Sequence, residues 1–362
     1  MGKRLSVMLM VFLGMVGCSL NMNTKPLVPA VYIFGDSTFD VGTNHFLSNC
    51  TAQADHEPYG MDFPNSQPTG RFSNGYNTAD EIAKLLGFEM SPPPFLMLVQ
   101  NDTEYFRSQI LKGVNFASGG AGILDETGQE RFHGVVSMAD QIQQFATVRS
   151  NISEHLKSSA DADAMINESL FLFSVGSNDF FDLYYYNNNA VTEKMRQDLL
   201  KNVIARYENH LENLKNYGAR KFGILSIAPL GCVPVMRLPN DCNQELNAIT
   251  YKFYVLLKGV LKNLTSRFPE MKYSLTNTHN TTVEMILAPE LFHIENATSP
   301  CCGNLTVNCG PDSAVCGNHD KYLFWDQFHP TQHVSVEAAT LVFNGTNLYV
   351  APLNLCQLAL AK

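Results

Sequence analysis

Five short runs of almost wholly apolar residues, at 31–34, 113–117, 170–175, 222–227 and 273–276, constrain what this chain can fold into more than any other feature. A half-exposed strand alternates apolar and polar residues, whereas a strand covered on both faces is apolar throughout. Longer segments of helical period separate the runs. Leu246, Ile249, Phe253, Leu256, Leu257, Val260 and Leu264 recur three and four apart and mark one face of a long helix. Shorter helices are predicted over 78–86, 138–148, 192–217, 282–287 and 331–343. Alternating buried strands and helices predict an α/β fold, with a mostly parallel five-stranded sheet between two helical layers.

With 362 residues, 45% of them apolar and 16% charged, the chain is long enough to bury one large core. No Pro-, Gly- or Ser-rich stretch and no charge block marks a linker, so residues 25–362 read as a single domain. Residues 1–24 read as a secretory signal peptide: Lys3 and Arg4, an apolar run over 5–16, then the small residues Gly17 and Ser19. That run is too short to span a bilayer as a helix, and no longer one follows, so no stable membrane insertion is expected. An uncleaved anchor and a lipid-bearing Cys18 are the alternatives.

Without Cys18 the chain keeps Cys50, Cys232, Cys242, Cys301, Cys302, Cys309, Cys316 and Cys356. An even number of cysteines behind an export signal favours disulfides, and no Cys-x-x-Cys pair suggests zinc. Cys232 and Cys242 are near enough to close a local loop, and 301–316 forms a second cluster. Nine Asn-x-Ser/Thr sequons, at Asn49, Asn101, Asn151, Asn167, Asn263, Asn280, Asn296, Asn304 and Asn344, agree with export. The net charge of −9 becomes −11 once Lys3 and Arg4 are lost, which argues against a nucleic-acid partner.

Ligand sites in parallel sheets form beyond the carboxyl ends of the strands, where loops and helix N-termini converge. The first run ends in Phe34-Gly35-Asp36-Ser37, which places a serine on a turn at such an end. A serine hydroxyl becomes a nucleophile when a base takes its proton and backbone N–H groups stabilise the developing oxyanion. An ordinary turn with a capping serine is the plain alternative. His329 follows Asp326 by three residues, a spacing that lets a carboxylate orient an imidazole from one loop, with Pro330 and the next helix holding that loop. Glu130 before His133 and Glu290 before His293 have the same spacing, but neither lies beside a strand end. The glycines of 115–122 (NFASGGAG) and the Asn178 amide of 176–179 (GSND) follow two further strands and offer hydrogen-bond donors. Arg71, Phe72, the Pro92-Pro93-Pro94 turn and the Tyr184-Tyr185-Tyr186 run are weaker candidates for pocket lining, with structural or surface roles as the alternative.

These blocks together resemble one family, the GDSL esterase/lipase group of the SGNH hydrolases, above all its plant secreted branch. The resemblance rests on FGDSTFDVGTN (34–44), TGRFSNG (69–75), GVNFASGGAGI (113–123), SVGSND (174–179), PLGCVP (229–234) and FWDQFHPT (324–331). It implies the flavodoxin-like SGNH hydrolase fold and a serine esterase without a cofactor or metal. Ser37 would be the nucleophile and first oxyanion donor, Gly120 and Asn178 the other donors, and Asp326 and His329 the rest of a triad. Gly119 and Gly122 share the loop with Gly120. His45 departs from the branch, which usually has Asn there, and lies past the catalytic turn. The implied substrate is a small-molecule or lipid ester, and the absence of an obvious amphipathic lid favours soluble or loosely dispersed esters. Acyl transfer by the same triad and a catalytically silent binding glycoprotein are the alternatives.

Overall fold

A computed structural model of the protein describes residues 25–188, 190–237 and 241–362. The expected leader, residues 1–24, lies outside the described residues. All five apolar runs are strands: β1 Val31–Gly35, β2 Gly113–Asn115, β3 Leu170–Ser174, β4 Lys221–Leu225 and β5 Lys272–Thr276. They are parallel and lie side by side in the order β2-β1-β3-β4-β5. Two short strands, β6 Asn296–Pro300 and β7 Tyr322–Phe324, pair with each other in a separate small sheet. The main sheet has six strands, not the expected five, because β8 Val350–Pro352 adds antiparallel to β5. Three residues that include a proline and bury only one side chain carry no periodic signal, and an edge is where a strand proline is tolerated.

The helices around the sheet and its carboxyl edge include α1 Thr78–Leu85, α2 Met138–Leu156, α3 Ser177–Tyr186, α4 Glu193–Asn216, α5 Gln244–Arg267, α6 Thr278–Leu287, α7 Gln332–Asn344 and α8 Leu355–Leu360. Side chains alternate across a strand, so each strand feeds both layers. Tyr32, Phe34, Phe171, Phe173, Phe222 and Ile224 pack beneath α2, α4 and α5. Val31, Ile33, Leu170, Leu172 and Leu225 face α1, α7 and α8. In the first layer the rings of Phe34 and Phe173 stack at 5.1 Å, a cross-strand aromatic pair that adds to simple burial.

Three disulfides join Cys232 to Cys242, Cys301 to Cys316 and Cys302 to Cys309, and Cys356 is disulfide-bonded as well. Cys50 departs from the disulfides that the even count favours: it is a buried thiol. Its neighbours in the same apolar cluster, Cys301 and Cys302, are already bridged elsewhere. None of the nine sequon asparagines is buried.

Candidate active site

At the end of β1 the backbone passes so close to β3 that a Cβ on Gly35 would lie 2.2 Å from the Ser174 carbonyl oxygen, so only glycine fits. Gln141 of α2 grips the same residue, accepting from its N–H and donating to its carbonyl, both at 2.9 Å. The Asp36 N–H donates to Ser174 O at 3.0 Å, and Asp36 Oδ1 accepts from the Thr38 N–H and hydroxyl at 3.0 and 2.6 Å. Ser37 therefore stands on a turn fixed on both sides. Burial pushes the Asp36 carboxyl up, against the pull of its Thr38 bonds and of His329.

The loop before α7 supplies the other two groups. His329 Nε2 lies 2.7 Å from Ser37 Oγ, and its Nδ1 lies 2.8 Å from Asp326 Oδ2. The carboxylate also accepts the backbone N–H groups of Phe328 and His329 at 2.8 Å, which closes the loop on itself. A fourth donor, the Tyr59 hydroxyl, reaches Asp326 Oδ2 at 2.8 Å from 267 positions away. Burial raises the Asp326 carboxyl, but the facing imidazole, the Phe328 N–H and Tyr59 outweigh it and hold it below its ordinary value. The Phe72 ring packs 5.0 Å from the imidazole. Behind the loop, the Cys301 and Cys302 N–H groups donate to Phe324 O and Trp325 O at 3.0 and 2.7 Å, so two bridged cysteines brace it.

The glycine loop is held by two buried aspartates that the sequence reading did not single out. Asp40 accepts from the N–H groups of Gly42, Thr43 and Gly119 at 2.8, 2.7 and 2.8 Å. Asp179 accepts from the N–H groups of Ile123 and Leu124 at 2.8 and 3.0 Å and from the Thr127 hydroxyl at 2.8 Å. Burial outweighs these bonds and lifts Asp40 to about 6 and Asp179 to about 7. Between the two anchors, Gly120 has φ +85°, and a Cβ on it would strike the Phe132 ring at 2.5 Å. The Gly119 N–H is engaged by Asp40, whereas among the described residues neither the Ser37 nor the Gly120 N–H donates to a backbone carbonyl. Asn178, in the first turn of α3, spends one of its two amide N–H groups on Ala121 O at 2.9 Å.

Ser37, Gly120, Asn178, Asp326 and His329 all line one cavity of about 620 Å³ at the carboxyl edge of the sheet. Phe72 and Tyr185 line it too, Tyr185 from the end of α3 with the Arg131 guanidinium 4.7 Å over its ring. Arg71 and the three prolines do not: they border a second cavity of about 750 Å³, where Arg71 is locked to Asp80 by bonds of 2.7 and 2.8 Å. His133 and His293 are exposed at turns, and His45, paired with Asp55 at 2.7 Å, borders the second cavity.

Residues 31–342 match the family model described as GDSL-like Lipase/Acylhydrolase. The chain is similar to GDSL esterase/lipase 6 of Arabidopsis thaliana, with 32% identity covering 98% of this chain and 97% of the relative. It is also similar to GDSL esterase/lipase At1g71691 of the same plant, with 33% identity covering 94% and 88%. Sequence blocks, fold and relatives agree, and the chain belongs to the GDSL lipase/acylhydrolase family of ester hydrolases.

Proposed function

We propose that the protein is an exported serine esterase in which residues 25–362 act as one catalytic domain. The observation that supports this best is the unbroken hydrogen-bonded path from Ser37 Oγ through both ring nitrogens of His329 to Asp326. His329 Nε2 takes the hydroxyl proton as Oγ attacks the ester carbonyl, and the carbonyl electron pair moves onto oxygen. The Ser37 and Gly120 N–H groups and the Asn178 amide stabilise that oxyanion. As the electron pair returns, the C–O bond to the alcohol breaks and the imidazolium protonates the leaving oxygen. Water, deprotonated by His329, then attacks the acyl-enzyme, and the acid leaves as Ser37 regains its proton. Asp326 keeps Nδ1 protonated and stabilises the imidazolium. The disulfides and the unburied sequons support export.

A serine-directed phosphonate tests the assignment. It should label the wild-type protein at Ser37 and leave Ser37→Ala unlabelled, and the variant should lose on the order of a millionfold in turnover. Equal labelling of both proteins would refute it.

A further inference from the structure

The cavity at Ser37 extends well beyond the reacting groups in two directions. Gln53, His56 and Arg131 line it on the side of the glycine loop. On the other side it follows the edge of the sheet. Parallel pairing sets Gly35, Ser174, Leu225 and Thr276 in one row across β1, β3, β4 and β5, and the last three line the cavity. Three steps between strands cover about 14 Å. Beyond that row, Thr281 and Met285 of α6 and Val334, Ala338 and Leu341 of α7 form the walls. Each set recurs at helical spacing, so one face of each helix is turned to the cavity. The Thr281 hydroxyl is satisfied by Asn277 O at 3.0 Å, whereas the hydroxyls of Thr276 and Thr278, which also line the cavity, have no hydrogen-bond partner among the described residues.

We propose that this arm is an acyl-chain channel that selects medium-chain acyl esters, with the alcohol part on the side of Gln53, His56 and Arg131. The proposal rests on Ser37 being the acylated residue. An extended chain advances about 1.2 Å per bond, so a row of about 14 Å accepts roughly ten to twelve carbons. Each methylene buried against the Leu225, Met285, Val334, Ala338 and Leu341 side chains favours binding by about three- to fourfold.

The test is a series of p-nitrophenyl esters from acetate to palmitate, with Ser37→Ala as the control for enzymatic turnover. The ratio of kcat/KM for decanoate to that for acetate should exceed ten in the wild type, and activity should fall beyond about twelve carbons. In Ala338→Phe, which puts a ring into the channel, that ratio should fall at least tenfold. Ser37-dependent hydrolysis with acetate as the best substrate, or a ratio unchanged in Ala338→Phe, would overturn the channel and leave the esterase reading standing. Absence of Ser37-dependent turnover on every ester would overturn both. The chain-length series in the wild type decides the matter even if the variant does not fold.

Discussion

Replacing Tyr59 with Phe removes one hydroxyl and nothing else, and that hydroxyl is one of four donors on the Asp326 carboxylate. Tyr59 is 6% exposed and Asp326 3%, so the bond is formed away from bulk water. A hydrogen bond to a charged group contributes about 1.5–3 kcal/mol, and the variant should lose that much stability against urea. If roughly half of it, about 1.4 kcal/mol, serves to hold the imidazole through the transition state, kcat falls about tenfold with KM unchanged. The pH dependence carries a sign as well. Because Asp326 sits below its ordinary value, its contribution to stability is present above about pH 4 and is lost as pH falls through the folded value. Removing Tyr59 moves that value up, so the contribution shrinks and the variant's loss on acidification, starting from the same pH of about 4, should be smaller and end at a higher pH than in the wild type. Steady-state kinetics and urea unfolding between pH 3 and 7 read both effects. Wild-type kcat together with wild-type stability would refute the role of Tyr59, and a change in KM alone would show that the hydroxyl meets substrate instead.

Asn178→Ala should lower kcat by about a hundred- to a thousandfold with little change in KM, measured on p-nitrophenyl acetate; an effect on KM alone would remove Asn178 from the oxyanion site. Asp179, raised to about 7 by burial, takes up a proton on folding, so its contribution to stability is fully present below about pH 4 and is lost as pH rises through 7. The thermal midpoint of Asp179→Asn relative to wild type should therefore shift in favour of the variant between pH 5 and pH 8, and a constant difference would contradict the burial argument. Cys301→Ser with Cys316→Ser opens a loop of 15 residues and should cost about 3 kcal/mol in urea unfolding, with a further loss of activity because that loop braces Phe324 and Trp325; an unchanged midpoint would deny the bridge a role in stability.

Much of the site is visible in the chain itself because the fold places chemistry at strand ends. Ser37, Gly120 and Asn178 follow apolar runs, and Asp326 with His329 form a self-contained loop whose hydrogen bonds span three residues. Tyr59 carries no such signal: it lies in an irregular segment and meets Asp326 only through folding. Asp40 stands within FGDSTFDVGTN and Asp179 within SVGSND, yet nothing local says that their carboxylates bind a distant glycine loop. The strand β8 escaped because three residues are too few to show a period.

Periodicity and composition determined the layers, the buried parallel strands and which residue types stand at their carboxyl ends, since burial on two faces needs a continuous apolar run wherever the chain goes. The order of strands, the 2.7 Å approach of Ser37 to His329 and the bonds from Asp40 and Asp179 to the distant glycine loop were decided only by tertiary structure. Contacts between positions far apart in the chain depend on how helices and strands pack against one another, and no local pattern records that.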